Sequence, residues 1–202
     1  MHREHAGGDG RLLVRSLVAG PLENNVYLAG CRTTGRVVLI DPAADAPRLA
    51  EAATGLVVEA VLLTHGHHDH RGAALEMSRR CGAPLRLHPG DAVLAELPEA
   101  LPLADGEQIR CGRVTFEVRH TPGHTPGSVC FLAEGTLFSG DTLFPGGPGA
   151  TDGPEAFRRV MDSLRRRLFT LPDTTLVLPG HGPATTIGAE RPSLDDWERR
   201  GW

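Results

Sequence analysis

Along its first sixty residues the chain alternates apolar and polar positions, and turn residues cut the alternation at short intervals. The segments "RLLVRSLVAG" (11–20), "NVYLAGC" (25–31) and "GRVVLID" (35–41) read as three strands. "DAPRLAEAATG" (45–55) reads as a short helix, with Pro47 near its start and Gly55 just past its end. "EAVLLT" (59–64) is a short continuous apolar run, the mark of a buried strand. Next come a helix in "RGAALEMSRRCG" (71–82), a short strand in "APLRLHP" (83–89) and a short helix in "GDAVLAELP" (90–98). From about 106 the period of two returns in "EQIRC", "VTFEVRH", "GSVCFLA" and "GTLFSGD".

A period near 3.6 takes over in "GPEAFRRVMDSLRRRLFTLP" (153–172). Its spacing puts Phe157, Val160, Met161, Leu164 and Leu168 on the core face of an amphipathic helix. Arg158, Arg159, Arg165, Arg166 and Arg167 cover the other face. Asp162 and Arg166 stand at ion-pair spacing, which favours a solvated face over a nucleic-acid patch. "TTLVLPGHG" (174–182) is a last strand. With no repeat, low-complexity stretch or linker, a single α+β domain over 1–202 is expected. The Gly-rich start "MHREHAGGDG" (1–10) reads as a flexible leader, with His2 and His5 as tail residues.

Composition narrows the function. A chain of 202 residues is long enough for a sizeable core. The net charge of -4 offers no basic field, so neither nucleic acid nor membrane is expected as a partner. All 21 basic residues are arginines, which excludes a lysine Schiff base. Cys31, Cys81, Cys111 and Cys130 form no C-x-x-C pair. There is no signal-peptide h-region and no run near the ~20 residues of a membrane span, so a cytoplasmic protein with reduced cysteines is the expectation.

The candidate chemistry is concentrated at strand ends. "THGHHDHRG" (64–72) follows the apolar run and carries His65, His67, Asp69 and His70 in an H-x-H-x-D-H spacing. In extended backbone alternate side chains share a side, so His65 and His67 can hold one metal. Once the chain turns, Asp69 and His70 can face a second point. Three later segments end the same way: His124 in "VRHTPGHTPGS", Asp141 in "TLFSGDTLF" and His181 in "LVLPGHGPA". Five histidines and two aspartates are enough for two metals with open positions.

The motifs "THGHHDH", "HTPGHTPGS", "SGDTLF" and "PGHGPATTIGAE" resemble those of the metallo-β-lactamase superfamily, most closely its glyoxalase II (hydroxyacylglutathione hydrolase)-like branch. The resemblance runs from about residue 12 to the end. It implies a four-layer αββα sandwich of two mixed sheets flanked by helices, with the site along one sheet edge. It also implies that His65, His67 and His124 hold a first metal and that Asp69, His70 and His181 hold a second. Asp141 would bridge them, and Asp69 and Asp141 would be the catalytic carboxylates. The implied cofactors are two divalent ions, zinc first, with iron or manganese as substitutes. The implied reaction is attack of a metal-bound hydroxide on a small-molecule thioester or ester. Two metals about 3.5–4 Å apart bring the pKa of a bound water towards about 7. A thiolate, from a thiol of pKa about 8.5, leaves without much acid help.

Departures qualify that picture. Only about twenty residues follow His181, too few for the helical domain with which glyoxalase II grips glutathione. "LFPGGPGATDG" lacks the arginine of the "GRTD" form common among relatives. The alternative is a persulfide dioxygenase of the same superfamily, with one ferrous iron on His65, His124 and Asp141. A lactonase, a β-lactamase or a non-catalytic metal-binding protein ranks below both. Among other polar residues, His68 is expected to pack or to line the pocket, His120 to orient its loop, and His88 to lie at the surface or in a satisfied core. Asp41 either holds a ligand histidine or is a plain turn aspartate.

Overall fold

The central strands are buried on both faces, and their alternation decides which layer each side chain enters. The computed structural model describes residues 3–4 and 10–201. Its first sheet has seven strands in chain order: β1 (Arg3–Glu4), β2 (Leu12–Ala19), β3 (Asn24–Cys31), β4 (Arg36–Ile40), β5 (Val57–Leu62), β6 (Leu85–Leu87) and β7 (Leu101–Pro102). Pairing is antiparallel from β1 to β4 and parallel from β4 to β7. The second sheet holds β8 (Gln108–Cys111), β9 (Val114–His120), β10 (Val129–Ala133), β11 (Thr136–Gly140), β12 (Leu176–Pro179) and β13 (Thr185–Thr186), again with neighbours in chain order. Only β11 and β12 run parallel there.

Among the described residues seven α-helices flank the sheets: α1 (Ala46–Ala52), α2 (His68–Arg71), α3 (Ala74–Cys81), α4 (Ala92–Ala95), α5 (Pro154–Ser163), α6 (Ile187–Glu190) and α7 (Leu194–Arg200). On β4, Val37 and Leu39 face an outer apolar layer with Leu49 of α1 and Met77 of α3. Val38 and Ile40 of the same strand face the middle layer, against Phe116, Phe131 and Phe138 of the second sheet. On β11, Phe138 points to the middle layer, whereas Leu137 joins Val160, Met161 and Leu164 in the second outer layer. Period-two alternation therefore sorts each strand between two cores. The result is helix, sheet, sheet, helix: the expected α+β sandwich of two mixed sheets.

The differences from the sequence reading are local. The helix read at 153–172 stops at Ser163 and continues as a π turn over Leu164–Leu168, closed by a bond from Phe169 N–H to Leu164 O of 2.8 Å. The wider turn keeps Leu164 and Leu168 buried while Arg165 and Arg166 stay exposed. Phe157 is only partly buried, and the Asp162–Arg166 pair forms at 2.6 Å. Two residues of the expected leader, Arg3–Glu4, pair with β2; His2 and His5 lie outside the described residues. The stretch after His181 folds into α6 and α7, which bury Ile187, Leu194 and Trp197 in the second outer layer. No described helix is long and apolar enough to cross a membrane.

The two sheets meet along one edge, and their strand ends are tied there. Asn25 N–H donates to Gly180 O (2.7 Å), Tyr27 Oη–H to Pro179 O (2.7 Å), and Val129 N–H to Thr64 O (2.8 Å). These bonds fix the relative height of the segments that carry the histidines.

Candidate metal centre

Every sequence-predicted site residue arrives at that edge. β5 delivers His65 and His67, and α2 adds Asp69 and His70. The loop from β9 to β10 brings His124, the end of β11 brings Asp141, and the end of β12 brings His181. Ligand atoms of His65, His67 and His124 lie within 4.8 Å of one another, as do those of Asp69, His70 and His181. Asp141 faces both groups: its Oδ1 is 3.3 Å from His70 Nε2, and its Oδ2 is 3.7 Å from both His124 Nε2 and His181 Nε2.

A third group of possible ligands joins Asp41, His65 and His70. Asp41 is already engaged, however. Its Oδ1 accepts Thr64 N–H (2.7 Å), and its Oδ2 accepts the Thr64 hydroxyl (2.6 Å) and His70 Nδ1–H (3.0 Å). Of the two roles open at the sequence level, Asp41 takes the one that holds a histidine.

Hydrogen bonds at the outer ring nitrogens determine the tautomers. His124 Nδ1–H donates to Ala150 O (2.6 Å), and His181 Nδ1–H donates to Leu22 O (2.9 Å). Thr64 has one hydroxyl proton and gives it to Asp41, so it must accept from His65 Nδ1–H at 3.0 Å. His65, His124 and His181 thus turn a bare Nε2 inward, and His70, held at Nδ1 by Asp41, turns its Nε2 inward beside them. His65 Nε2 and Asp141 Oδ1 are buried without a hydrogen-bond partner. His124 Nε2 faces His67 Nδ1 at 3.0 Å, and His70 Nε2 faces His181 Nε2 at 3.3 Å. Facing lone pairs at such distances repel unless a proton or cation lies between them. Two nitrogens bound to one zinc at 2.0–2.1 Å in a tetrahedral arrangement stand about 3.3 Å apart, so these residues fit divalent metal.

The electrostatics agree with that fit. Burial, with neighbouring rings adding to it, holds His65 well below the usual histidine range, and His67 is lowered in the same way. Both rings are therefore neutral at neutral pH. Burial also opposes charge on His70, but Asp141 and Asp41 outweigh it and push its pKa up to about 10. Metal must displace that proton on binding. Burial alone would raise the Asp141 carboxyl, yet His70 and the neighbouring rings hold it below the carboxylate range.

Asn24 was not evident from sequence. It is fully buried at the start of β3, donates from Nδ2 to Asp69 Oδ2 (2.9 Å), and lies 3.2 Å from His181 Nε2. His68 is exposed on α2, outside both groups. His120 donates to Pro126 O (2.9 Å), a bond within its own loop, and stacks on His88 with ring centroids 4.1 Å apart.

Gly180 sets how closely β12 approaches the site. A Cβ there would overlap Asp141 Oδ1 and come within 2.6 Å of His70 Cε1. Gly180→Ala should therefore fold but displace both groups, lowering metal affinity by about 10–100-fold, the loss typical when ligand positioning is disturbed. Zinc titration against a chromophoric chelator measures it; unchanged affinity would mean that β12 can retreat freely.

Comparison with known proteins agrees with this architecture. Hydroxyacylglutathione hydrolase GloC of Haemophilus influenzae is 36% identical, over 77% of this chain and 84% of its own. Among solved structures, ETHE1 from Myxococcus xanthus superposes with a TM-score of 0.80 at 33% identity, covering 88% of this chain and 81% of that one. TTHA1623, solved in a di-iron-bound form, superposes with a TM-score of 0.75 at 37% identity, covering 87% and 96%. Residues 19–181 match the metallo-beta-lactamase superfamily as a family, a span that includes all seven residues at the sheet edge. With its sandwich, its strand-end histidines and that match, the chain belongs to the metallo-β-lactamase superfamily of metal-binding hydrolases.

Proposed function

We propose that the protein hydrolyses thioesters, acting on small acyl-thiol conjugates with two divalent metals in place. The observation that carries this reading is the position of Asp141, one carboxylate within 3.3–3.7 Å of histidines from both groups. Bound metal supplies Lewis acidity at the carbonyl oxygen and lowers the pKa of a coordinated water. The chain's own part is to hold the donors. Thr64, Asp41, Ala150 and Leu22 fix four imidazoles, and Asn24 fixes Asp69. Tyr27, which could have acted as a proton donor, is tied to Pro179 O. A leaving group that needs no acid suits such a site, and a thiolate is one. The similarity to a hydroxyacylglutathione hydrolase supports the same substrate class. Five imidazoles favour zinc, and the di-iron relative makes iron the ion to test against it.

The test is elemental analysis of the purified protein, paired with a panel of thioesters, oxygen esters and a β-lactam. Thioesters should be hydrolysed fastest. Carriers should differ mainly in KM, because the carbonyl chemistry is common and only uniform binding changes. S-lactoylglutathione, whose carboxylates meet no lysine here, should show a high KM. Full metal without turnover of any thioester would sink the reading. Oxygen uptake on glutathione persulfide by singly iron-loaded protein would replace it with the dioxygenase.

A further inference from the structure

Among the described residues, Asp91 is the one fully buried carboxylate outside the histidine cluster: its relative exposure is 0%, while Asp41, at 2%, belongs to the cluster itself. It ends the 3-10 turn Pro89–Asp91 and starts α4. No ion pair of the described residues includes it. A buried carboxylate without a cation is costly unless its lone pairs are hydrogen-bonded. Here the donors come from two loops. Oδ2 accepts Gly66 N–H (2.8 Å) and the Thr125 hydroxyl (2.6 Å), and Oδ1 accepts Gly127 N–H (2.6 Å).

Where these donors sit in the chain matters. Gly66 lies between His65 and His67, and Thr125 follows His124. Those three histidines form the first of the two groups. Asp91's carboxylate bonds to Gly66, Thr125 and Gly127 and not to these rings, yet it joins the backbone that carries two of them to the loop that carries the third. The fit is tight. A Cβ on Gly127 would come within 2.6 Å of Asp91 Cγ, and one on Gly66 within 3.0 Å of Asp91 Cβ. Thr125 is held in turn by Ser128, whose Oγ accepts Thr125 N–H at 3.0 Å. Asp41 has the corresponding part on the other side, where it contacts His70.

We infer that Asp91 is a positioning residue: its carboxylate clamps the Gly66 and Thr125–Gly127 segments together and so sets the spacing of the His65, His67 and His124 group. This rests on the reading of that group as a metal site. Asp91→Asn keeps the shape but places an amide N–H₂ against a backbone or hydroxyl donor, so at least one clamp bond is lost and replaced by repulsion. Thr125→Val removes a single bond and leaves Asp91 in place.

The experiment has two arms. In the first, zinc is titrated into metal-free wild type, Asp91→Asn and Thr125→Val against a chelator that resolves two binding steps. One step should weaken by about 10–100-fold in Asp91→Asn and by about tenfold or less in Thr125→Val, with the other step unchanged. General loosening of the fold would weaken both steps. In the second arm, amide hydrogen exchange is followed at Gly66 and Gly127 in the metal-free proteins, where both should exchange faster in Asp91→Asn. Zinc steps within about twofold of wild type in both variants would overturn the clamp. So would unchanged exchange at the two glycines, even if the wild type bound no zinc; failure of zinc binding alone would count against the metal reading.

Discussion

Asp141→Ala should leave a folded protein that binds at least one metal ion fewer than wild type and has lost thioester turnover by on the order of 10²-fold or more. The estimate starts from groups that merely orient a ligand, whose loss already costs 10–100-fold in affinity or activity. Asp141 does more than orient, since it reaches towards His70, His124 and His181 together. No neighbouring carboxylate can take its place: Asp41 is saturated by Thr64 and His70, and Asp69 is held by Asn24. Asp141→Asn, which preserves volume, should reproduce most of the defect. Elemental analysis and thioester assay of both variants decide it. Wild-type metal content with wild-type turnover in Asp141→Ala would remove the carboxylate from the mechanism.

Phe138→Ala should cost about 3–5 kcal/mol of folding stability, the range for deleting a buried aromatic ring. Phe138 is fully buried between the sheets, edge-on to Tyr27 at 5.3 Å and tilted against Phe116 at 6.1 Å. Its ring is a contact from the second sheet to a strand of the first. Domains of this size have about 5–15 kcal/mol in total, so the variant gives up a large share. For a chain of 150–250 residues each kcal/mol shifts Tm by about 2–4 °C, so a fall of roughly 6–20 °C is expected. The measurement belongs on metal-free protein, because bound metal adds its own stabilisation. A loss below about 1 kcal/mol would mean that the neighbouring side chains close the void.

Much of this could be read from the amino acids because each signal was local. Strands buried on both faces appear as apolar runs between turn residues, and helical spacing placed Val160, Met161, Leu164 and Leu168 in the core. The metal-binding candidates were visible because His and Asp rarely gather at strand ends by chance. What remained hidden depended on distant partners. Asn24 sits in "LENNVY" and reads as a turn residue; its partners Asp69 and His181 lie 45 and 157 positions away. Asp91 falls at the start of the short helix read over 90–98 with nothing local to single it out, and only folding brings Gly66 and Gly127 onto it. β7 is a two-residue pairing with Leu101 exposed, too short to leave a period. The π turn after Ser163 differs from a helix by one step in hydrogen bonding, which helical spacing does not register.

Each sheet is made from one unbroken stretch of chain, the first ending at Pro102 and the second starting at Gln108. Neither stretch owns a complete set of donors: the first contributes His65, His67, Asp69 and His70, and the second His124, Asp141 and His181. The His65, His67, His124 group and the Asp69, His70, His181 group therefore each span both halves, whereas the group that includes Asp41 lies in the first alone. On the proposed assignment, a nascent chain released before His124 would complete neither of the two metal groups, and nor would a chain whose halves had folded but not docked. On the proposed assignment, metal retention would report that both halves were folded and joined in the right register.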